Sequence, residues 1–358
     1  MTFDVVIVGG GPAGSTCATF CALAGLRVLV LDREVFPREK VCGDCLNPGG
    51  WAVLERLSLT AQVRALPHGQ LDSVQFIAIG GQTVSVDLPS GAEGEIAVKR
   101  SLFDHLLLHR AREAGAAVHE DATVTALQRN SSSNWQIETV RDKFTARTLI
   151  GADGRNSTVA RLCNLLPRPQ RERVALQTHL PIPAGFGNRV VLQFLREGYS
   201  GQAPVNNSEL NVCLVAKPRE IDALKEWAQR RFHVSPDHPW RTVSPLTRAP
   251  LTTAHDNLLF IGDAARVMEP FTGEGIYYAL RSGELAATAI ARLVRGEDRA
   301  STLREFNQAH ASMYRGRLWI NRLARAAVLS PRVASFFVHL AKAQPSILRL
   351  LTSKIVRL

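Results

Sequence analysis

Val5-Val6-Ile7-Val8-Gly9-Gly10-Gly11-Pro12-Ala13-Gly14 is the stretch on which the fold turns. Apolar residues over 3–8 predict a short buried strand, and the glycines stop it. Residues 12–25 then read as a helix and 27–31 as a second strand ending at Asp32, which makes a βαβ opening. In that setting the GxGxxG spacing has a mechanism. Gly9 permits the tight turn, Gly11 lets a pyrophosphate approach the backbone, and Gly14 allows close helix packing. The helix that starts at Pro12, which has no N–H of its own, offers the unpaired N–H groups of Ala13 and Gly14 and the positive end of a dipole. Asp32, eighteen residues beyond Gly14 and followed by Arg33, is placed to accept hydrogen bonds from an adenosine ribose. Small residues at Gly14, Cys17, Ala18, Cys21, Ala22 and Gly25 recur at helical spacing, so one helix face can lie close to a sheet.

The chain has 358 residues, 46% hydrophobic and 21% charged, which is ordinary globular usage and argues against disorder. Its length suits two joined units, one for a cofactor and a smaller one for a substrate. Met1-Thr2-Phe3-Asp4 lacks the positive start of an export signal, and no uninterrupted apolar run reaches the roughly 18 residues of a membrane span. The expectation is a cytoplasmic protein, soluble or peripheral at the inner membrane surface. Six scattered cysteines fit a reducing compartment, and Cys42-Gly43-Asp44-Cys45 lacks the second ligand pair a structural zinc would need, so no metal is expected.

The net charge of +11 is concentrated at one end. Residues 306–358 carry nine Lys or Arg and no Asp or Glu. Leu318, Ile320, Leu323, Phe336, Phe337 and Leu340 interleave with those charges, which points to basic amphipathic helices and away from nucleic acid. Either this tail makes a peripheral membrane contact or its apolar face packs on the core.

Alternation over 70–98 suggests strands, Ser101 is placed to cap a helix through Leu107, and residues 130–134 form a polar turn. Further strands are expected over 190–195 and 210–215, with a helix near 221–231.

Two later motifs join the first: Gly151-Ala152-Asp153-Gly154-Arg155 and Gly262-Asp263-Ala264-Ala265. Together the three resemble the flavoprotein superfamily that unites aromatic hydroxylases with the geranylgeranyl reductase family, over roughly residues 2–295. The resemblance implies an α/β fold: an FAD-binding Rossmann-like domain of the glutathione reductase type, an inserted mixed β-sheet substrate domain, and C-terminal helices. The expected boundaries are 1–69, 97–168 and 252–300 for FAD, 70–96 and 169–251 for substrate, and 301–358 for the basic helices. It also implies non-covalent FAD, with Asp153 in the second motif, Gly262 beside it, and Asp263 on the ribityl chain.

Gly273-Glu274-Gly275-Ile276 narrows the resemblance to the geranylgeranyl reductase branch, since Glu274 and Arg266 stand where aromatic hydroxylases carry Gln and His. A helix from Gly275 would aim its N-terminus at the flavin ring, where reduced flavin gathers negative charge. The loop around Cys42 and Gly43 resembles the Cys-Gly-Gly loop beside the isoalloxazine. Asp44 replaces its second glycine, either to bond loop backbone or to handle a proton. By the same resemblance Arg100 reaches the FAD phosphates and the Val124 backbone meets adenine. Tyr199 is kept from the family's cavity segment, but Gly201 and Ala203 replace its Trp and Phe, which points away from a prenyl chain.

The leading reading is therefore an NAD(P)H-dependent monooxygenase for a bulky hydrophobic substrate such as a polyketide, phenol or lipid, with Asp44, Cys42 and Tyr199 as catalytic candidates. The alternative is a flavin-dependent alkene reductase, and a third is a non-catalytic flavoprotein or membrane adaptor. Halogenation is disfavoured because no Trp-x-Trp occurs. With no second GxGxxG, NAD(P)H would visit the surface transiently.

Overall fold

The computed structural model describes residues 2–89, 91, 93–171, 173–268 and 273–315. Thr2–Val8 is the central strand of the first sheet, parallel to Val28–Leu31 on one side and to Lys143–Gly151 on the other. Leu258–Phe260 and Ala117–His119 extend the sheet outward, and the Val124–Arg129 and Trp135–Thr139 strands form a hairpin on Lys143–Gly151. Val28–Leu31 is buried along its whole length, as a strand covered on both faces should be. It starts one residue later than expected, because the Arg27 carbonyl accepts from Asp4 N instead and the Arg27 side chain clamps the Asp4 carboxylate. The first helix spans Pro12–Leu23 and stops short of 25, where Gly25 takes φ +79°.

Arg100–Glu113 is a helix, but Ser101 is not its cap. Lys99 holds that position with no side-chain cap bond. The first turn is instead fixed by Arg100 closing on Asp104 one turn later.

The second sheet has seven strands in the order Arg241–Val243, Val174–Pro181, Glu209–Ala216, Gly198–Pro204, Arg189–Phe194, Ser73–Ile77 and Thr83–Asp87. All its pairs are antiparallel except Arg189–Phe194 with Ser73–Ile77. The Ile221–Phe232 helix covers one face through Leu224 and Ala228. Between the two sheets lies a small one of Cys45–Leu46, Ile96–Val98 and His68–Gln70. It abuts the large sheet so closely that a side chain at Gly69 would fall on the Pro204 carbonyl.

Gly275–Val294 packs lengthwise on the first helix. Close approach is possible because a Cβ at Gly283 would crowd the Ala13 carbonyl and lie 3.1 Å from Cys17 N. Arg299–Ser312 follows, with the Asp298 carboxylate accepting from Ser301 N at 2.8 Å. The basic amphipathic tail expected over 306–358 lies, from 316 onward, outside the described residues, as do 269–272. Among the described residues no helix is long and apolar enough to cross a membrane.

Candidate functional site

The three glycine motifs converge because the central strands are neighbours. Gly9 has φ +108°, and a Cβ there would lie 2.5 Å from the Ala152 carbonyl oxygen, so the first turn rides directly on the second motif. Ala152 N in turn donates to the Val8 carbonyl at 2.8 Å. Gly262 N donates to Ser282 Oγ at 2.9 Å, which ties the third motif to the long helix. Gly11 caps the first helix without any side-chain bond, leaving the first-turn amides to face the cleft. A Cβ at Gly11 would meet nothing nearer than Arg38 Nη2, at 3.6 Å. Space lies beside the backbone there, and a cation lies across it.

One continuous cleft runs from this turn to the seven-stranded sheet. Of the expected cofactor residues, Gly11, Pro12, Ala13, Cys42, Gly43, Arg100, Gly262, Asp263, Gly273, Gly275 and Ile276 line it. Gly9 and Gly14 stand behind the lining and shape the turn. Asp32 also works from behind, its carboxylate accepting from Gly10 N at 2.6 Å and Glu34 N at 2.9 Å. Arg33 is exposed and pairs with Glu34. Val124 is buried in the core of the first sheet. Asp153 accepts from Thr158 N at 2.6 Å and Val159 N at 3.1 Å in the first turn of the Thr158–Leu162 helix, which Ser157 caps, and burial pushes the Asp153 carboxyl up.

A group of cations surrounds the glycine turn. Arg100 makes two 2.7 Å bonds to the buried Asp104 carboxylate, and Arg38 Nη1 lies 3.0 Å from it. Burial alone would raise Asp104, but Arg100, Arg38 and Lys40 outweigh it and hold the carboxyl below its ordinary range. Burial and the neighbouring Arg100 bring Lys40 down to about 8. Arg155 Nη2 lies 3.3 Å from Asp263 Oδ2, while Arg155 Nη1 is buried with no hydrogen-bond partner among the described residues. A buried guanidinium N–H without an acceptor costs free energy unless an anionic ligand meets it. The open backbone at Gly11, the unpaired Arg155 donor and the excess of cations together fit the diphosphate of FAD.

Asp44 adopts φ 61° and is only 1% exposed. Its backbone carbonyl accepts from Val98 N, but its carboxyl lies 2.8 Å from His179 Nε2 on the large sheet and does not line the cleft. The side chain thus bonds across to the second sheet, not within its own loop. Burial raises its carboxyl, partly offset by His179. The same loop is held by Asn211 Nδ2 and Cys213 Sγ, both donating to the Cys42 carbonyl, at 2.8 and 3.1 Å. Burial pushes the Cys45 and Cys213 thiols well up, so both stay neutral.

The far wall of the cleft is apolar: Val74, Phe76, Val190, Leu192, Tyr199 and Val215. A Cβ at Gly201 would touch only Leu192, at 3.7 Å, so the wall is open there. Lys40, Arg155, Glu95 and His179 escaped the sequence reading. Arg155 sat directly after Gly154 in the second motif, where a cation beside a motif glycine was a usable signal, and Lys40 lay two residues before the Cys42 loop. Glu95 and His179 had no local signal, since strand pairing alone brings them in.

Asp263→Ala should weaken FAD retention at least tenfold, whereas Asp44→Ala should leave it within about threefold and slow turnover, since only Asp263 lines the cleft. Flavin fluorescence titration of the apoproteins checks this, and equal loss in both variants would mean that the Asp44–His179 contact holds the flavin as much as Asp263 does.

Residues 2–184 match the family described as FAD binding domain. Menaquinone reductase of Mycobacterium tuberculosis is 32% identical over 322 residues, 79% of this chain and 75% of that protein. Digeranylgeranylglycerophospholipid reductase 1 of Methanothermobacter thermautotrophicus is 28% identical over 329 residues, covering 85% and 81%. Among solved structures, the flavin-dependent brominase Bmp2 superposes with a TM-score of 0.80 at 21% identity, covering 98% of this chain and 94% of that one. At that identity the likeness concerns the fold alone.

Proposed function

Because the chain belongs to the FAD binding domain family of flavin-dependent oxidoreductases, we propose that it is an NAD(P)H-dependent reductase of a double bond in a bulky, apolar substrate. The observation that carries this reading is the cleft itself. It joins a cation-ringed turn suited to a dinucleotide with an apolar wall, and the Cys45 and Cys213 thiols in its lining are neutral. Two relatives that share most of its length are named reductases, which is why reduction is placed ahead of the hydroxylation expected from sequence.

Bound FAD supplies two-electron redox chemistry at its ring. Arg155, Arg38, Lys40 and Arg100 would balance its phosphates, and Asp263 would hold its ribityl hydroxyls. Gly43, Gly273, Gly275 and Ile276 would receive the ring, and the positive end of the Gly275–Val294 helix would favour negative charge gathered on it. Tyr199, Leu192 and Val190 seat the substrate and exclude water, which strengthens every polar interaction at the reacting atoms. Cys42 is presented from the opposite loop, and Asp44 with His179 keeps that loop in place.

Hydroxylation is the second reading, favoured by the open wall at Gly201 and Ala203, which admits a ring-bearing substrate. NAD(P)H oxidation with a short-chain menaquinone and with an alkylated phenol, each with and without oxygen, separates the two. Reduction predicts substrate-stimulated turnover under anaerobic conditions. Turnover only with oxygen, with an oxygen atom in the product, would replace it by hydroxylation, and no stimulation by either would leave a non-catalytic flavoprotein.

A further inference from the structure

Glu95 immediately precedes the Ile96–Val98 strand, is 8% exposed and lines the cleft. It stands at the end formed by Gly273 and Cys45: a Cβ built on Gly273 would lie 3.5 Å from Glu95 Oε1 and 3.7 Å from Cys45 Cβ. Among the described residues neither a cation nor a hydrogen-bond donor reaches its carboxyl.

The titratable groups that face it are Glu274, from the start of the long helix, and Cys45, from the neighbouring strand. Gln70, from the third strand of the small sheet, is uncharged and reaches only the Glu95 backbone carbonyl, at 3.5 Å. Glu274 is itself 1% exposed and accepts from the Tyr278 hydroxyl at 3.2 Å. Two ionised carboxylates side by side in a dry wall would be costly, so one of the pair keeps its proton. Burial first, and then the neighbouring Glu274, push Glu95 up to about 8, so Glu95 holds its proton at neutral pH. A protonated carboxyl that faces a cleft and is spent on no internal bond is a proton held ready for what the cleft contains.

We propose that Glu95 is a catalytic acid that gives its carboxyl proton to the substrate at the cofactor end of the cleft. This rests on the reductase reading. The hydride delivered in that reduction forms one C–H bond and leaves an electron pair on the adjacent carbon. That pair takes the Glu95 proton, so the Glu95 O–H bond breaks, a second C–H bond forms, and a carboxylate remains. The carboxylate lies beside Glu274, an unfavourable neighbour for a second negative charge, and recovers a proton from water before the next turnover.

The test uses Glu95→Gln, which keeps the shape and carries no acidic proton. In apoprotein infrared spectra, the wild type should show a protonated-carboxyl band that fades as pH rises through about 8 and is absent from the variant. A component that still fades through about 8 in the variant, or none that does so in the wild type, would overturn the assignment. With bound FAD reduced by NAD(P)H and then mixed anaerobically with a short-chain menaquinone, reoxidation should slow by about 100-fold or more in the variant, the usual span of a general acid. The preceding reduction by NAD(P)H should not change. Reoxidation of the variant within about threefold of wild type sinks the acid role alone. Wild-type enzyme that is not reoxidised at all sinks the reductase reading and the acid role with it.

Discussion

Gly14→Ala is expected to yield protein without FAD and with a markedly lower melting temperature. A Cβ at this position would fall inside contact distance of the Gly9 carbonyl oxygen and 3.2 Å from Ala152 Cβ. Neither neighbour can yield cheaply, because Gly9 already sits with its own Cβ position against the Ala152 carbonyl. Overpacking in a rigid core commonly costs about 1–3 kcal/mol, and a clash with backbone belongs at or above the upper end. The displaced turn is the one that must receive the phosphates, so cofactor affinity falls along with stability. Gly201→Ala is the matched control, since a Cβ there meets nothing nearer than 3.7 Å. Flavin absorbance of the purified variants and thermal melts measure both effects. If Gly14→Ala remained yellow with an unchanged melt, the close crossing of the first two motifs would not be what builds the site.

Asp104→Ala should cost about 3–5 kcal/mol, the range for removing one partner of a buried ion pair. Its carboxylate is fully buried and balances Arg100 and Arg38, with Lys40 near enough to feel it. Removing it leaves those cations to repel one another in the protein interior. The pH dependence has a defined sign. The folded-state pKa lies below the ordinary carboxylate value of 3.8, so the stabilisation is present above that value and is lost as pH falls through the folded pKa. The stability gap between wild type and variant should thus be full at neutral pH and narrow in acid. FAD should narrow it as well, because a diphosphate is the other anion that can neutralise the same group. Urea unfolding of apo and holo forms at several pH values provides the check, and a gap below about 1 kcal/mol in the apoprotein would mean the cations are already neutralised by solvent.

The cofactor half was legible because its chemistry is local. The strand, the glycine turn and the small-residue helix face lie within the first 25 residues, and strand, turn and helix appear where that pattern puts them. Ser101 shows the limit of local rules. A hydroxyl at a helix start is a good cap in isolation, but Arg100 had a buried partner one turn on, and the stronger bond set the boundary. The strands over 70–98 were visible as alternation, yet nothing in the pattern said that 73–87 would join one sheet and 68–70 with 96–98 another. Sheet membership is decided by segments far away in the chain, such as Arg189–Phe194 for Ser73–Ile77. The meeting of Asp44 with His179, and of Glu95 with Glu274, was invisible for the same reason. In each pair one partner, His179 or Glu95, carries no motif of its own and is brought in by tertiary placement alone.

The parallel pairing of Ser73–Ile77 with Arg189–Phe194 also fixes an order of events during synthesis. When the Ser73–Ile77 and Thr83–Asp87 hairpin leaves the ribosome, the strand that will cover its open edge has yet to be translated. The same holds for the first turn, whose third motif arrives only at Gly262. Both halves must wait with unpaired strand edges until most of the chain exists, the circumstance in which nascent proteins stick to one another. Overproduction at low temperature and with ample flavin therefore favours the folded form, since slow translation limits the number of waiting chains and a ligand of the native state draws the finished ones out of the pool.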